Sequence, residues 1–220
     1  MTAKRKRMRS GRPNGNMRPR KKRYLMVTNG EVTEPQYFKG LEKELGDVVI
    51  EVRPYRKDPS ALAAAAKDLK DREANASNSS GNRGVDGFQR VFVVTDVDDF
   101  TVKQFQDARR ICKDEGMELI ITNPCFEVWL VDHLVCCPDT YTEAKDAEHK
   151  AAELGIVGGS RDKHVVYASI EGKRSQACDN AAIHNTDERK RKRNQLNSLN
   201  FGPWTDMPAV INRLDGKKRK

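Results

Sequence analysis

RVFVVTDVDDF, residues 90–100, is the strongest strand signal in the sequence. Its four consecutive apolar residues, 91–94, lead directly into three aspartates, Asp96, Asp98 and Asp99. A continuous apolar run of this length is typical of a strand buried on both faces, as the strands of parallel sheets are. The segment therefore predicts a buried strand with acidic side chains at its carboxyl end.

Three further apolar runs have the same character, and helical patterns separate them. The predicted strands are YLMVT (24–28), VVIEVRP (48–54) and MELIITN (117–123), and the predicted helices follow Thr33, cover 59–72 and 101–115, and include CFEVWLVDHL (125–134). Alternation of strands and helices predicts an α/β fold with a mostly parallel sheet and helices on both faces, Rossmann-like in architecture.

Local signals refine these boundaries. Thr33 and Gln36 have the spacing of a capping box at the start of the first helix. Residues 75–87 are rich in Asn, Ser and Gly and predict a surface loop. Beyond residue 138 the pattern weakens to helices over 144–154, 178–199 and 205–214, with a strand or loop end at 165–170.

The charge is divided unevenly along the chain. The formal net charge is +9, but residues 1–23 contain eleven basic residues and no acid, and residues 217–220 add four more. The remainder carries 26 basic against 32 acidic residues. We expect a disordered basic arm (1–23), an α/β core (24–137), a mixed, mainly helical C-terminal part of the same domain (138–216) and a basic tail (217–220).

Several classes of protein are excluded by composition. No stretch approaches the roughly 18 apolar residues of a membrane span, and the N-terminus lacks the apolar region of a signal peptide, which favours a cytoplasmic protein without a membrane partner. Five cysteines without a CxxC pair indicate neither a disulfide framework nor a zinc ribbon.

Polar residues collect where the predicted strands end. The first strand runs into Asn29, Glu31 and Glu34, the third into the three aspartates, and the fourth into Asn123 and Glu127. If the first and third strands are neighbours, these carboxylates converge on one pocket at the carboxyl edge of the sheet. Converging carboxylates repel one another unless a cation neutralises them, and oxygen ligands favour Mg²⁺ or Mn²⁺.

The motifs NGEVTEPQYF, VFVVTDVDDF, ITNPCFEVWLVDHL and FGPWTDMPAVINRL occur in an order that resembles the RloB family of restriction-associated and abortive-infection proteins. Those proteins are similar to Toprim-domain nucleases, so the resemblance implies a Toprim-like fold, a divalent metal, cleavage of DNA or RNA in antiviral defence, and an ATPase partner. Asp96 and Asp98 match the family's DxD, Glu34 its second acid, and Asn123 and Glu127 its Asn-Pro-x-x-Glu segment.

One position departs from the pattern. Asn29 stands where many Toprim proteins have a glutamate before the glycine, and an amide can coordinate metal but cannot act as a base. This shifts any acid or base role to Glu31 or Glu34. The catalytic candidates are Glu31, Glu34, Asp96, Asp98 and Glu127; the metal candidates are Asn29, Glu34, Asp96, Asp98 and Asp99, with Asn123 as a further pocket residue.

The basic ends predict contacts with nucleic acid, because Lys and Arg neutralise backbone phosphates. The candidates are Lys4, Arg5, Lys6, Arg7, Arg20, Lys21, Lys22, Arg23, Arg189, Lys190 and Arg191. A solubilising tail and a solvated helix face are the alternatives for these two clusters.

Structural explanations compete at the acidic positions too. Thr33 and Glu34 suit a helix cap and a first-turn acid, and Asp98 and Asp99 suit caps of the next helix. Glu127 stands in an otherwise apolar helix, where a helix N-terminus would supply its partner. Two hypotheses therefore stand: a metal-dependent Toprim-like nuclease, or a catalytically reduced subunit that binds nucleic acid or a partner.

Overall fold

A five-stranded sheet forms the centre of the molecule. The computed structural model describes residues 21–79, 87–97, 99–159, 163–186 and 202–216. The sheet contains β1 (Lys22–Thr28), β2 (Val48–Pro54), β3 (Arg90–Asp96), β4 (Glu118–Asn123) and β7 (Trp204–Thr205), and a separate small hairpin contains β5 (Val157–Gly158) and β6 (His164–Val165). The order in the sheet is β2-β1-β3-β4-β7. All pairs are parallel except β4 with β7, which confirms the predicted α/β architecture.

Helices cover both faces of the sheet. They are α1 (Thr33–Leu45), α2 (Pro59–Ser79), α3 (Val102–Asp114), α4 (Glu127–Asp132), α5 (Ala144–Glu153), α6 (Arg174–His184) and α7 (Met207–Leu214), and a 3₁₀ turn spans Tyr167–Ser169. Five helices, α1, α4, α5, α6 and α7, pack on one face of the sheet and form one core cluster with it. The other two, α2 and α3, form a second cluster with the opposite face. None of these described helices is long and apolar enough to cross a membrane.

Each central strand contributes to both cores, because successive side chains of a strand point to opposite faces. In β1, Tyr24 and Met26 belong to the first core, whereas Leu25 and Val27 belong to the second. All four are essentially inaccessible to solvent. Complete burial of one such side chain stabilises the fold by about 1.5–3 kcal/mol, which explains why these strands are continuously apolar.

The C-terminal part of the chain is fastened to α1. The Glu44 carboxylate of α1 accepts hydrogen bonds from the Tyr167 hydroxyl (2.7 Å) and the Gly172 amide (3.2 Å), and it forms an ion pair with Arg174. A second, fully buried contact joins α4 to α6, where His184 Nε2 lies 2.8 Å from Asp132 Oδ2. These contacts fasten the later elements to the helices on one face of the sheet.

Several predicted boundaries were wrong. β1 begins at Lys22, where it pairs with Val48, so regular structure includes two residues of the predicted arm. Helix α2 continues through the first part of the predicted 75–87 loop. Helix α4 is shorter than the predicted 125–134, and α6 ends at His184 rather than continuing along 178–199, of which 187–199 lie outside the described residues.

The predicted capping box at Thr33 was also wrong. Helix α1 begins at Thr33 itself, without a side-chain cap. The Thr33 hydroxyl donates instead to the Lys163 carbonyl (3.2 Å), and Gln36 bonds to His164 and Val165. Tertiary partners from 130 residues away therefore replace the local cap.

Candidate active site

A cavity of about 920 Å³ opens at the carboxyl ends of β1 and β3. These strands are direct neighbours, as the convergence of the polar residues required. The chain leaves β1 for one face of the sheet and returns to β3 over the other, which makes this the point where the winding reverses and where ligands of such sheets bind. Its polar lining residues are Asn29, Glu31, Thr33, Glu34, Arg56, Lys57, Asp58, Asp96, Glu127, Glu148, Lys163 and His164.

Glu34 lies in the wall of this cavity and is only 4% exposed. Its Oε1 accepts a hydrogen bond of 2.9 Å from the Gly30 amide. A Cβ at position 30 would lie 2.0 Å from Glu34 Oε2, so only glycine permits this approach. Burial raises the pKa of Glu34 to about 7; the backbone amides oppose the rise, and the negative charge of Glu127 adds to it.

Glu127 is the second buried acid of the cavity, with 3% exposure, and it begins α4. Its Oε1 lies 3.6 Å from the Lys163 ammonium, which in turn lies 2.6 Å from Glu148 Oε1 on α5. Burial alone would lower the pKa of Lys163, but the two carboxylates outweigh it and hold that pKa above its ordinary value. Lys163 is therefore a cation at neutral pH.

Asp96 ends β3 on the cavity wall and is half-buried. Asn29 follows β1, where its backbone amide donates to the Val94 carbonyl (3.0 Å) and its side-chain amide donates to the Lys57 carbonyl (3.2 Å). The exposed Glu31 forms an ion pair with Arg56 across 3.4 Å. Strand ends, a loop and two helix starts thus bring Asn29, Glu31, Glu34, Asp96 and Glu127 to one cavity.

Other predicted site residues lie elsewhere. Asp99 is exposed and Asn123 is buried, and neither lines the cavity; the Asn123 amide donates to the Gly202 carbonyl (3.4 Å). Asp98 lies outside the described residues, as do Lys4, Arg5, Lys6, Arg7, Arg20, Arg189, Lys190 and Arg191.

Three of the residues predicted to contact nucleic acid lie in the described part of the chain. Lys21 and Lys22 are exposed. The Arg23 guanidinium is engaged within the protein, because it pairs with Glu51 and Glu73 and lies 4.8 Å from the centre of the Phe88 ring.

The donor types of the cavity fit a hard divalent ion. Its acids offer oxygen ligands, and the neighbouring Cys125 thiol donates to the Ala144 carbonyl, while burial raises its pKa well above the ordinary value. Within the described part of the chain, no three His, Cys, Asp or Glu side chains are grouped closely enough to hold one metal ion. The Lys163 ammonium instead holds the position of a cation beside Glu127 and Glu148.

A family model for RloB-like proteins matches residues 24–214. The chain belongs to the RloB-like family. The match confirms the resemblance carried by the four motifs, and it extends beyond the α/β core through α7. No curated protein and no solved structure matches the chain. For this member of the RloB-like family, the cavity geometry is the principal guide to chemistry.

Sequence reasoning missed several cavity residues of this RloB-like protein. Glu148 stands on an amphipathic helix and carries no motif. The sequence offers Lys163 as positive charge near the pocket, but its weakly patterned segment does not show which way the side chain points. Arg56, Lys57 and Asp58 follow β2, at the same edge of the sheet as the predicted acids. A search of every strand end would have found these three.

Proposed function

We propose that this chain is a metal-dependent, Toprim-like nuclease that acts on DNA or RNA. The resemblance stated above further suggests an effector of a prokaryotic anti-phage defence system that works with an ATPase partner. Mg²⁺ or Mn²⁺ is the proposed cofactor.

The observation that carries the proposal is the convergence of Glu34, Asp96 and Glu127 on one cavity. The three acids come from α1, β3 and α4, and they meet at the reversal point of the sheet. Two of them are almost fully buried, which is costly for carboxylates and is common at functional sites. An acid that only caps a helix, or only lies on the surface, does not need to be buried or to converge with two others on one cavity.

Glu34 and Asp96 would hold the ion, assisted by Asn29, since all three line the cavity. When bound, the ion would activate water and stabilise the charge of a phosphate. Burial raises the pKa of Glu34 to about 7, so a metal ion would compete with a proton for this carboxylate near neutral pH. Gly30 fixes its carboxylate against the backbone.

The cavity rim supplies positive charge for a polyanionic substrate. Arg56 and Lys57 stand on one lining segment and Lys163 on another. The side chain of Arg56 is 82% exposed and reaches solvent beside Glu31. Together with the basic ends of the chain, these residues favour binding of backbone phosphates.

The first prediction concerns Asp96. Purified protein with its ATPase partner should cleave at least one of duplex DNA, single-stranded DNA, tRNA and ribosomal RNA in Mg²⁺ or Mn²⁺. EDTA should abolish cleavage, and Asp96→Asn should lower its rate by about a hundredfold or more, because a charged ligand is lost. Gel assays of end-labelled substrates measure both effects.

Asp114→Asn is the matched control, since Asp114 is exposed at the far end of α3 and does not line the cavity. It should retain the wild-type rate. Intact substrates under every metal condition, with the partner present, would exclude the nuclease.

A catalytically reduced binding subunit is the second candidate, and Asn29 and Lys163 favour it. Asn29 replaces a potential base, and Lys163 forms ion pairs with two of the cavity acids without a metal. Such a protein would bind nucleic acid with the affinity of the wild type after Asp96→Asn and would show no turnover.

A further inference from the structure

We infer that Lys163 is a built-in cation of the cavity, which a divalent ion must displace before it gains the carboxylates of Glu127 and Glu148. This inference rests on the proposed function and adds a residue that competes with the metal. It concerns the ammonium group and the two carboxylates that contact it.

The contacts of Lys163 are those of a counter-ion. Its ammonium lies between carboxylates of two helices, 3.6 Å from Glu127 on α4 and 2.6 Å from Glu148 on α5. The buried Glu127 is also close enough to Glu34 for its charge to affect that residue. One positive side chain thus offsets the repulsion within an acidic cavity, as a bound ion would.

The backbone of Lys163 is held firmly while its side chain retains access to solvent. The Lys163 carbonyl accepts from the Thr33 hydroxyl (3.2 Å), and Gln36 holds the next two residues through His164 Nδ1 (2.9 Å) and the Val165 amide (2.8 Å). The side chain itself is 41% exposed. Displacement therefore needs rotation of the lysine side chain alone, without movement of the β5–β6 hairpin.

Competition follows from charge. A divalent ion beside Glu127 would lie near the position now held by the ammonium, and two cations at that distance repel strongly in a partly buried site. The ion must therefore move the ammonium outward, towards the mouth of the cavity. In the wild type, metal binding must therefore break the contacts of Lys163 with Glu127 and Glu148, and the energy of these two contacts is subtracted from the binding energy of the ion.

The second prediction is that removal of the ammonium tightens metal binding. Calorimetric titration of Mn²⁺ and Mg²⁺ into the full chain should give a dissociation constant that falls by about tenfold or more in Lys163→Met and Lys163→Gln. A lysine with only a structural role would have the opposite effect, since its loss would loosen the site. Lys163→Arg, which keeps the charge, should not tighten binding.

Lys150→Met is the matched control. Lys150 forms an ion pair with Glu153 on the same helix as Glu148 and does not line the cavity. Its substitution removes the same charge and should leave the metal affinity unchanged. Equal tightening in this variant would overturn the inference, because it would show a general effect of net charge.

Wild-type protein provides a measurement that depends on no variant. Acylation of lysines, read by mass spectrometry, should increase at Lys163 when Mg²⁺ is added, because the displaced amine loses both carboxylate partners. Labelling at Lys150 should stay constant. Unchanged or reduced labelling of Lys163 at saturating metal would overturn the inference.

The outcomes separate this inference from the proposed nuclease. Wild-type metal binding with no tightening in the Lys163 variants overturns the inference and leaves the nuclease in place. Tightening without cleavage of any substrate supports the inference and counts against the nuclease. Absence of metal binding in the wild type and in both uncharged variants overturns both.

Discussion

The position of the Glu34 carboxylate depends on Gly30, and its pKa depends partly on Glu127, an acid distant in sequence but close in space. The Gly30 amide holds that carboxylate at 2.9 Å, in space that any Cβ would fill. Burial raises its pKa to about 7, and Glu127 contributes to that rise. At neutral pH the metal-free protein therefore contains Glu34 in both protonation states.

The third prediction is a pH effect specific to Glu34. Because its folded pKa lies above the ordinary value of 4.5, the folded state binds the extra proton between pH 4.5 and about 7, and stability falls as pH rises through this window. Glu34→Gln should remove that fall. Urea unfolding of the wild type and of Glu34→Gln at pH 5, 6, 7 and 8 gives the free energy of unfolding of each protein against pH. The difference between these two curves measures the contribution of Glu34.

Metal binding should have the opposite dependence, with affinity rising between pH 6 and pH 8 as Glu34 ionises. Glu171→Gln, at an exposed position outside the cavity, is the control and should follow the wild type. Parallel stability curves for wild type and Glu34→Gln would contradict the assigned pKa.

At the scale of elements, the two sequences TEPQ (33–36) and TVKQ (101–104) have the same capping spacing and different outcomes. At Thr101 the box forms, with reciprocal bonds between Thr101 and Gln104 at the start of α3. At Thr33 the same side-chain types bind the β5–β6 hairpin instead. Local spacing cannot distinguish these cases, because the competing partners come from elsewhere in the chain.

Helix α1 also contains a glycine whose role is steric. A Cβ at Gly40 would lie 2.1 Å from the Tyr167 ring, and the Tyr167 hydroxyl is fixed by Glu44. Alanine in an exposed helix would raise stability by about 1 kcal/mol over glycine. Here the close ring reverses that sign.

The fourth prediction is that Gly40→Ala destabilises the protein by about 1–3 kcal/mol, the usual cost of overpacking a core contact. Chemical denaturation measures the change in the free energy of unfolding. Gly87→Ala is the control, because a Cβ there meets nothing within 4 Å, and it should stay within about 0.5 kcal/mol of the wild type. Stabilisation by Gly40→Ala would show that Tyr167 moves freely.

At the scale of the whole molecule, opposite charges occupy different parts of the chain. Residues 1–23 and 217–220 carry fifteen of the 41 basic residues, and the remainder is acidic. The cavity belongs to that acidic remainder. Binding of a polyanion and chemistry on it are therefore expected to depend on different residues.

The fifth prediction concerns deletion of residues 1–20, which removes eight basic residues. Nucleic-acid binding should weaken at low salt, and the dependence of affinity on salt should become shallower, because fewer counterions are released. Fluorescence anisotropy at several salt concentrations measures both. Metal affinity and the melting temperature should not change.

A full-length variant with the same eight residues replaced by glutamine separates charge from length. It should behave like the deletion. Wild-type affinity in that variant would assign nucleic-acid binding to the remainder of the chain.

Much of the architecture could be predicted from sequence, because the strands are buried on both faces and read as unbroken apolar runs. The edge strand Trp204–Thr205 could not, since two residues carry no periodicity. The same limit applied to the site: Glu34, Asp96 and Glu127 follow recognisable elements, whereas Lys163 reaches the cavity through a hairpin of two-residue strands. Asp99 shows the converse, since a motif position need not face the cavity.

The β5–β6 hairpin follows the acidic residues of the cavity in the sequence, and this fixes the order in which the parts of the site are translated. Glu34, Asp96 and Glu127 are all translated before Lys163, and the strand that pairs with Thr122 is translated later still. At typical elongation rates residue 205 follows residue 29 by roughly ten to thirty seconds. For most of that interval Lys163 has not yet been translated, so the nascent cavity lacks its own lysine and the complete site can form only after residue 163 is made.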